Sequence, residues 1–204
     1  MAEIKAVILD LYGTLIYLKD KTNPYLRLFT ELGLQSCDEL KQARKIALTQ
    51  DFNNLEDFIK KIRQNAKINL QTYKAEIQKE ISSAELYSET KKVLEELKIK
   101  NFKLGLISNL ASPYKKPFYD LGLDKYFTRI LFSCETGLIK PDPKIYFKML
   151  QDLNINPANA LMAGDKISAD FDGPKAIGMQ AISLNRIQTS TNSISTLEGI
   201  FKYI

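Results

Sequence analysis

The sequence predicts an α/β protein built on a doubly wound parallel sheet, with an all-helical unit inserted after the first strand. Two observations predict it. Short apolar runs alternate with stretches of helical amphipathic spacing, the pattern of right-handed strand–helix–strand crossovers. One long region, from about residue 17 to about residue 84, breaks that alternation and shows helical spacing alone.

The first run, residues 4–9, is almost unbroken in apolar character and stops at Asp10, with Gly13 three residues on, as a buried strand ending in a turn does. Comparable runs recur at 102–107, 130–132, 160–163 and 180–184, each followed by polar or glycine-containing sequence. Between them, 89–97 (Val93, Leu94, Leu97) and 143–153 (Ile145, Tyr146, Met149, Leu150) have the spacing of amphipathic helices. The region without strands carries three apolar stripes: Tyr25, Leu28, Phe29 and Leu32; Leu55, Phe58, Ile59 and Ile62; Leu70, Tyr73, Ile77 and Ile81. Such stripes are helix-packing seams, and their place in the chain makes them a lid over the carboxyl end of the first strand. Residues 188–195 are polar and read as a loop before a short final helix. The expected division is a core of residues 1–16 and 86–204 and a helical cap of residues 17–85.

A chain of 204 residues with 45% apolar content can bury one sizeable core and a small second domain. It has no apolar run of bilayer-spanning length, and its first residues lack a secretory core, so a cytoplasmic protein without a membrane partner is expected. Cys37 and Cys134 are too few for a disulfide framework and lack zinc-site spacing. The net charge of +5 comes from lysines scattered among glutamates, a solvated surface rather than a nucleic-acid footprint. The chain has no histidine, which excludes a serine-histidine-acid triad, a histidine base and histidine metal ligands. Chemistry must run on carboxylates, lysine, hydroxyls and backbone. Nothing in the sequence speaks to oligomeric state.

Open parallel sheets bind ligands at the carboxyl ends of their strands. Those ends present Asp10, then Ser108 and Asn109, then Lys140, then Asp165 with Asp170. Clustered carboxylates take up protons unless a cation sits among them. Lys140 supplies one charge, and Mg2+ fits the remainder, since it favours a few carboxylate and carbonyl oxygens, retains waters and accepts phosphate oxygens. A lone aspartate at a strand end is often only a turn or helix cap, and Asp142 and Asp172 are read that way.

Four separated strings carry a family resemblance: Val7-Ile8-Leu9-Asp10-Leu11-Tyr12-Gly13-Thr14-Leu15, Leu106-Ile107-Ser108-Asn109, Gly137-Leu138-Ile139-Lys140-Pro141-Asp142-Pro143, and Gly164-Asp165-Lys166-Ile167-Ser168-Ala169-Asp170. In order and context they resemble the four motifs of the haloacid dehalogenase superfamily, whose Rossmann-like core carries a helical cap after motif one. The resemblance implies a hydrolase in which Asp10 is the covalent nucleophile. It further implies that Thr14 and Ser108 bind the transferring group, that Lys140 neutralises charge at the reacting centre, that Mg2+ is held by Asp10, Asp165 and the Tyr12 carbonyl, and that Asp170 orients metal-bound water. Asn109, beside the substrate, reads as a hydrogen bonder that shapes the loop.

Tyr12 departs from the phosphatase pattern, where the residue two after the nucleophile is an aspartate that protonates the leaving group. A tyrosine with an ordinary pKa of about 10 cannot fill that role at neutral pH. Asp-Leu-Tyr-Gly-Thr is similar instead to motif one of the 2-haloacid dehalogenases, whose leaving halide needs no proton. Motif four points the other way: those enzymes work without metal and carry serine where this chain has Asp165. Tyr146 matches a dehalogenase active-site tyrosine in position and reads as a core residue on its helix seam. Arg44 or Lys41 of the lid could hold an anionic group, and each reads as an exposed helix charge. Three readings result: a magnesium-dependent hydrolase of small phosphorylated metabolites, a metal-independent 2-haloacid dehalogenase, and a binding or regulatory protein that keeps the fold with little turnover.

Overall fold

The computed structural model describes residues 3–187 and 193–204. Its centre is a six-stranded, all-parallel sheet in the order β5-β4-β1-β6-β7-β8, formed by β1 (Ala6–Leu9), β4 (Lys103–Ser108), β5 (Arg129–Phe132), β6 (Ala160–Gly164), β7 (Gln180–Leu184) and β8 (Ser193–Ile194). The five apolar runs thus form strands where expected. β8 corrects the loop expected over 188–195 at residues 193 and 194; residues 188–192 lie outside the described residues.

Both faces of the sheet are covered, which is why its strands are apolar throughout rather than alternating. Val7 and Leu9 pack with Val93, Leu94 and Leu97 of α5 (Thr90–Ile99) and with Phe118 of α6 (Lys116–Asp120). Ala6 and Ile8 point the opposite way, onto Ile145, Tyr146, Met149 and Leu153 of α8 (Pro143–Leu153). β1 sits between β4 and β6, so the crossovers run to one side through β4 and β5 and to the other through β6 and β7. The end of β1 is therefore the switch point where an open sheet leaves a crevice.

Between the first strand and α5 lie α1 (Pro24–Glu31), α2 (Cys37–Thr49), α3 (Leu55–Ile62) and α4 (Leu70–Ser82). Their apolar sides form a cluster of their own around Leu28, Phe29, Phe58, Ile59, Tyr73 and Ile77. α2 had no apolar stripe to announce it, because it buries only Ala43 and Ala47; its start is fixed by a capping box between Ser36 and Glu39. A two-stranded antiparallel ribbon, β2 (Ile16–Leu18) with β3 (Ala84–Leu86), leads into and out of these helices. This ribbon corrects the expectation that residues 17–84 hold no strand. Three-residue strands are too short to display a period of two.

The helices are tied to the loop after β4. The Phe52 amide donates to Ser112 Oγ at 2.9 Å, and Lys115 Nζ lies 2.8 Å from Asp51. The phenol of Tyr114 donates to buried Glu80, whose other oxygen accepts the amides of Thr22 (2.8 Å) and Asn23 (3.1 Å). No described helix is long and apolar enough to cross a membrane.

Phe58 is the aromatic centre of the helical cluster, with ring centroids 5.3 Å from Tyr25 and 5.4 Å from Phe52. Phe58→Ala is expected to cost about 3–5 kcal/mol of unfolding free energy in urea denaturation. A cost below about 1 kcal/mol would show that this cluster is not close-packed.

Candidate active site

Asp10 is the first residue past β1. Its amide donates to the Ala163 carbonyl at 3.1 Å, extending the ladder with β6, so its carboxylate emerges at the switch point. Lys140 meets it there, with Nζ 2.8 Å from Asp10 Oδ1 and 2.6 Å from Asp170 Oδ1. The three side chains are 9%, 2% and 0% exposed respectively for Asp10, Lys140 and Asp170, so solvent does not screen these pairs.

Each partner is held by a second set of contacts. Asn109 grips the backbone of Lys140 from both sides: its Oδ1 accepts the Lys140 amide (2.9 Å) and its Nδ2 donates to the Lys140 carbonyl (2.8 Å). The end of β4 thereby fixes a lysine 31 residues away. Asp170 lies on a π-helical turn over Ile167–Asp172, and its Oδ2 accepts the Lys166 amide at 3.0 Å. Tyr146 is fully buried on the α8 seam as expected, and its phenol also donates to the Ala169 carbonyl at 2.5 Å, bracing that turn.

Asp165 follows β6 and lies against the loop after Asp10. Gly13 has φ of +83°, and a Cβ there would stand 2.7 Å from the Asp165 carboxyl carbon, so only glycine allows the approach. Asp165 Oδ2 accepts from Lys166 Nζ at 2.7 Å, a lysine side chain 72% exposed. Its Oδ1 is buried without a hydrogen-bond partner, as is the hydroxyl of Thr14. Ser108 is buried at the end of β4. Oxygens of Asp10, Asp165 and Asp170 all lie within 4.8 Å of one another. Three carboxylates against one buried ammonium leave a local excess of negative charge, and an orphaned carboxylate oxygen at that spot suits a hard dication. The donor set fits Mg2+.

Burial pushes the Asp10 carboxyl up to about 6, opposed by Lys140 and reinforced by the charges of Asp170 and Asp165. Burial works to lower the Lys140 pKa, and the paired Asp10 and Asp170 outweigh it, holding the ammonium above its ordinary range. The Tyr12 phenol is raised by burial and by the charge of Glu80, and it donates to the Tyr114 carbonyl at 2.9 Å. The phenol is thus engaged toward the loop after β4, and its backbone carbonyl is the part left for the metal-ligand role expected of Tyr12.

The site residues read from the sequence, Asp10, Tyr12, Thr14, Ser108, Asn109, Lys140, Asp165 and Asp170, sit on the ends of β1, β4 and β6 and on the loop that Asn109 holds. Asp142 caps α8 by accepting the Lys144 amide at 2.9 Å, and Asp172 is exposed. Arg44 is exposed, and Lys41 pairs only loosely with Asp38 of its own helix, at 3.9 Å. Sequence reasoning missed Arg186, which contacts the Gly13 and Thr14 carbonyls. The signal was available: it follows the end of the 180–184 run, a strand end like those that present Asp10, Ser108 and Asp165.

Because the Asp10 pKa is raised in the folded state, its contribution to stability is full below about 3.8 and is lost as pH rises through about 6. In metal-free protein Asp10→Asn should therefore raise the thermal midpoint at a pH of about 8, with the gain vanishing near a pH of about 4.5. A variant no more stable than the parent at the higher pH would contradict the sign.

The sequence pattern of haloacid dehalogenase-like hydrolases matches residues 7–184. The chain is 34% identical over 94 residues to the glyceraldehyde 3-phosphate phosphatase of Pyrococcus furiosus, a match covering 45% of this chain and 39% of that one. It therefore spans well under half the length of that relative. To a Clostridium perfringens protein named "Putative pyrophosphatase PpaX" it is 30% identical over 194 residues, covering 89% of this chain and 86% of the other. The crystal structure of a haloacid dehalogenase-type phosphatase from Thermococcus onnurineus superposes with a TM-score of 0.68 at 25% identity, covering 98% of this chain and 97% of that one. The sheet order, the site at its switch point and these likenesses agree: the chain belongs to the haloacid dehalogenase-like hydrolase family.

Proposed function

We propose that the chain is a cytoplasmic, magnesium-dependent hydrolase of a small phosphorylated metabolite, acting through an aspartyl phosphate on Asp10. Residues 1–16 and 86–204 form its catalytic core, and residues 17–85 form the cap that meets the rest of the substrate. The observation that carries the reading is Asp165: a carboxylate whose buried Oδ1 has no partner, beside two further acids that share one buried ammonium. Relatives named as a phosphatase and a pyrophosphatase support it.

Asp10, Asp165 and the Tyr12 carbonyl would hold Mg2+, which would supply the positive charge that lets an anionic nucleophile approach an anionic phosphoryl group. Lys140 keeps Asp10 oriented and ionised. Asp10 bonds to phosphorus as the bond to the leaving oxygen breaks, and Thr14 and Ser108 hydrogen-bond the transferring oxygens. Water then attacks phosphorus, the carboxylate of Asp10 is restored, and phosphate departs with both protons of that water; Asp170, fixed by Lys140, orients the attack. Tyr12 cannot protonate the leaving group. The substrates that suit the site are those whose leaving group is stable as an anion, such as anhydrides and aryl esters.

Tyr12 also favours a second reading, carbon–halogen hydrolysis, since a halide needs no proton. The two readings separate in one assay. Phosphate release from an aryl phosphate is expected with Mg2+, lost with chelator and reduced by at least about a thousandfold in Asp10→Asn. Chloride release from 2-chloropropionate in the presence of chelator would establish the dehalogenase instead. Tyr12→Asp should raise turnover of alkyl phosphates by about a hundredfold, the size of a general-acid contribution; no gain would remove the leaving-group argument. The rate should fall as pH drops through about 6, because Asp10 must be ionised, and this limb should move to lower pH as Mg2+ is raised.

A further inference from the structure

We infer that Arg186 is a positioning residue that holds the nucleophile loop in its working shape, an inference that rests on the reading of Asp10 as nucleophile. Arg186 lies two residues past the end of β7, with its side chain 18% exposed. Three of its donors are used in one plane: Nε to the Gly13 carbonyl (3.3 Å), Nη2 to the Thr14 carbonyl (2.7 Å) and Nη1 to Glu89 Oε1 (2.7 Å). The guanidinium carbon stacks 3.4 Å from the centroid of the Tyr87 ring. Glu89 Oε1 in turn accepts the Leu197 amide at 3.2 Å, so the anchor of the arginine is itself fixed.

Within the loop, the amides of Thr14, Leu15 and Ile16 all donate to the Leu11 carbonyl, and the Gly13 amide donates to Ile16. Those bonds close the turn on its inner side. The carbonyls of Gly13 and Thr14 face Arg186, and they belong to the two peptide planes that flank the Thr14 side chain. Fixing both planes sets the direction of the buried, unpartnered Thr14 hydroxyl and keeps Gly13 seated on Asp165. A planar fork is needed, because a lysine ammonium cannot bridge two carbonyls and a carboxylate in one plane while stacking on a ring. The ring on which Arg186 stacks borders the two-stranded ribbon: the Tyr87 amide donates to the Leu15 carbonyl (3.1 Å), and the Tyr87 ring lies 5.0 Å from that of Tyr17 of β2. Arg186 thus joins the end of β7, the loop after Asp10 and the ribbon that leads to the helices.

The test compares wild type, Arg186→Lys and Arg186→Ala with Mg2+ and an aryl phosphate, alongside hydrogen exchange of the segment 11–16 in metal-free protein. Arg186→Ala should lose about ten- to a hundredfold in kcat with KM within about threefold, the signature of a misplaced reacting group. Added guanidinium ion should restore part of that rate, and Arg186→Lys should fall between the two. Exchange of the segment 11–16 should quicken in Arg186→Ala while α4 is unchanged. If Arg186→Ala does not fold, Arg186→Lys is read by the same split and the same exchange. A kcat within twofold of wild type, a loss confined to KM, or unaltered exchange in the loop would overturn the inference. An inactive wild type would defeat the proposed function alone, since exchange reports on Arg186 without a substrate.

Discussion

One buried ammonium between two carboxylates organises this molecule. Lys140 has almost no contact with solvent, and taking such a charge out of water is costly unless partners are in place when it arrives. Those partners come from distant parts of the chain. β1 delivers Asp10, the π-helical turn after β6 delivers Asp170, and the Asn109 side chain at the end of β4 pins the lysine backbone. The cluster can form only when the parallel sheet is assembled, so the register of the strands and the geometry of the site are a single constraint.

That constraint also explains what the site lacks. Lys140 satisfies Asp10 and Asp170, and the surface lysine at 166 reaches only one oxygen of Asp165. A carboxylate oxygen is left without a partner next to Asp10, whose own pKa is raised by burial. Tyr12 adds no further carboxylate to this crowded site, and it turns its phenol to the Tyr114 carbonyl. Tyr114 in turn donates to Glu80, which holds the start of α1. Tyr12 thereby takes part in a hydrogen-bonded seam between the loop after β4 and the helices above it.

Much of this was legible in the sequence because apolar runs end where their strands end. Residues 4–9 stop at Asp10, and the same rule located Ser108 and Asp165. Lys140 and Asp170 were readable with them as polar residues beyond the apolar runs, and their roles needed the family resemblance, since each lies on a loop or turn whose course no periodicity encodes. The capping role of Asp142 was readable from its place before Pro143. Other features gave weaker signals. The ribbon of β2 and β3 is too short to alternate, and α2 shows only two buried alanines. The hydroxyl of Tyr146 braces the turn of Asp170, although the residue read as core packing alone. Arg186 acts on backbone carbonyls 172 and 173 residues away, groups that every residue possesses and that no side-chain pattern marks.

The charge left over in this pocket calls for a divalent cation at Asp165. Calorimetric titration of Mg2+ into metal-free protein tests it without reference to any substrate. Saturable binding at one site in the wild type, lost in Asp165→Asn, is the predicted result. Absence of binding, or binding of equal strength in both proteins, would contradict the account.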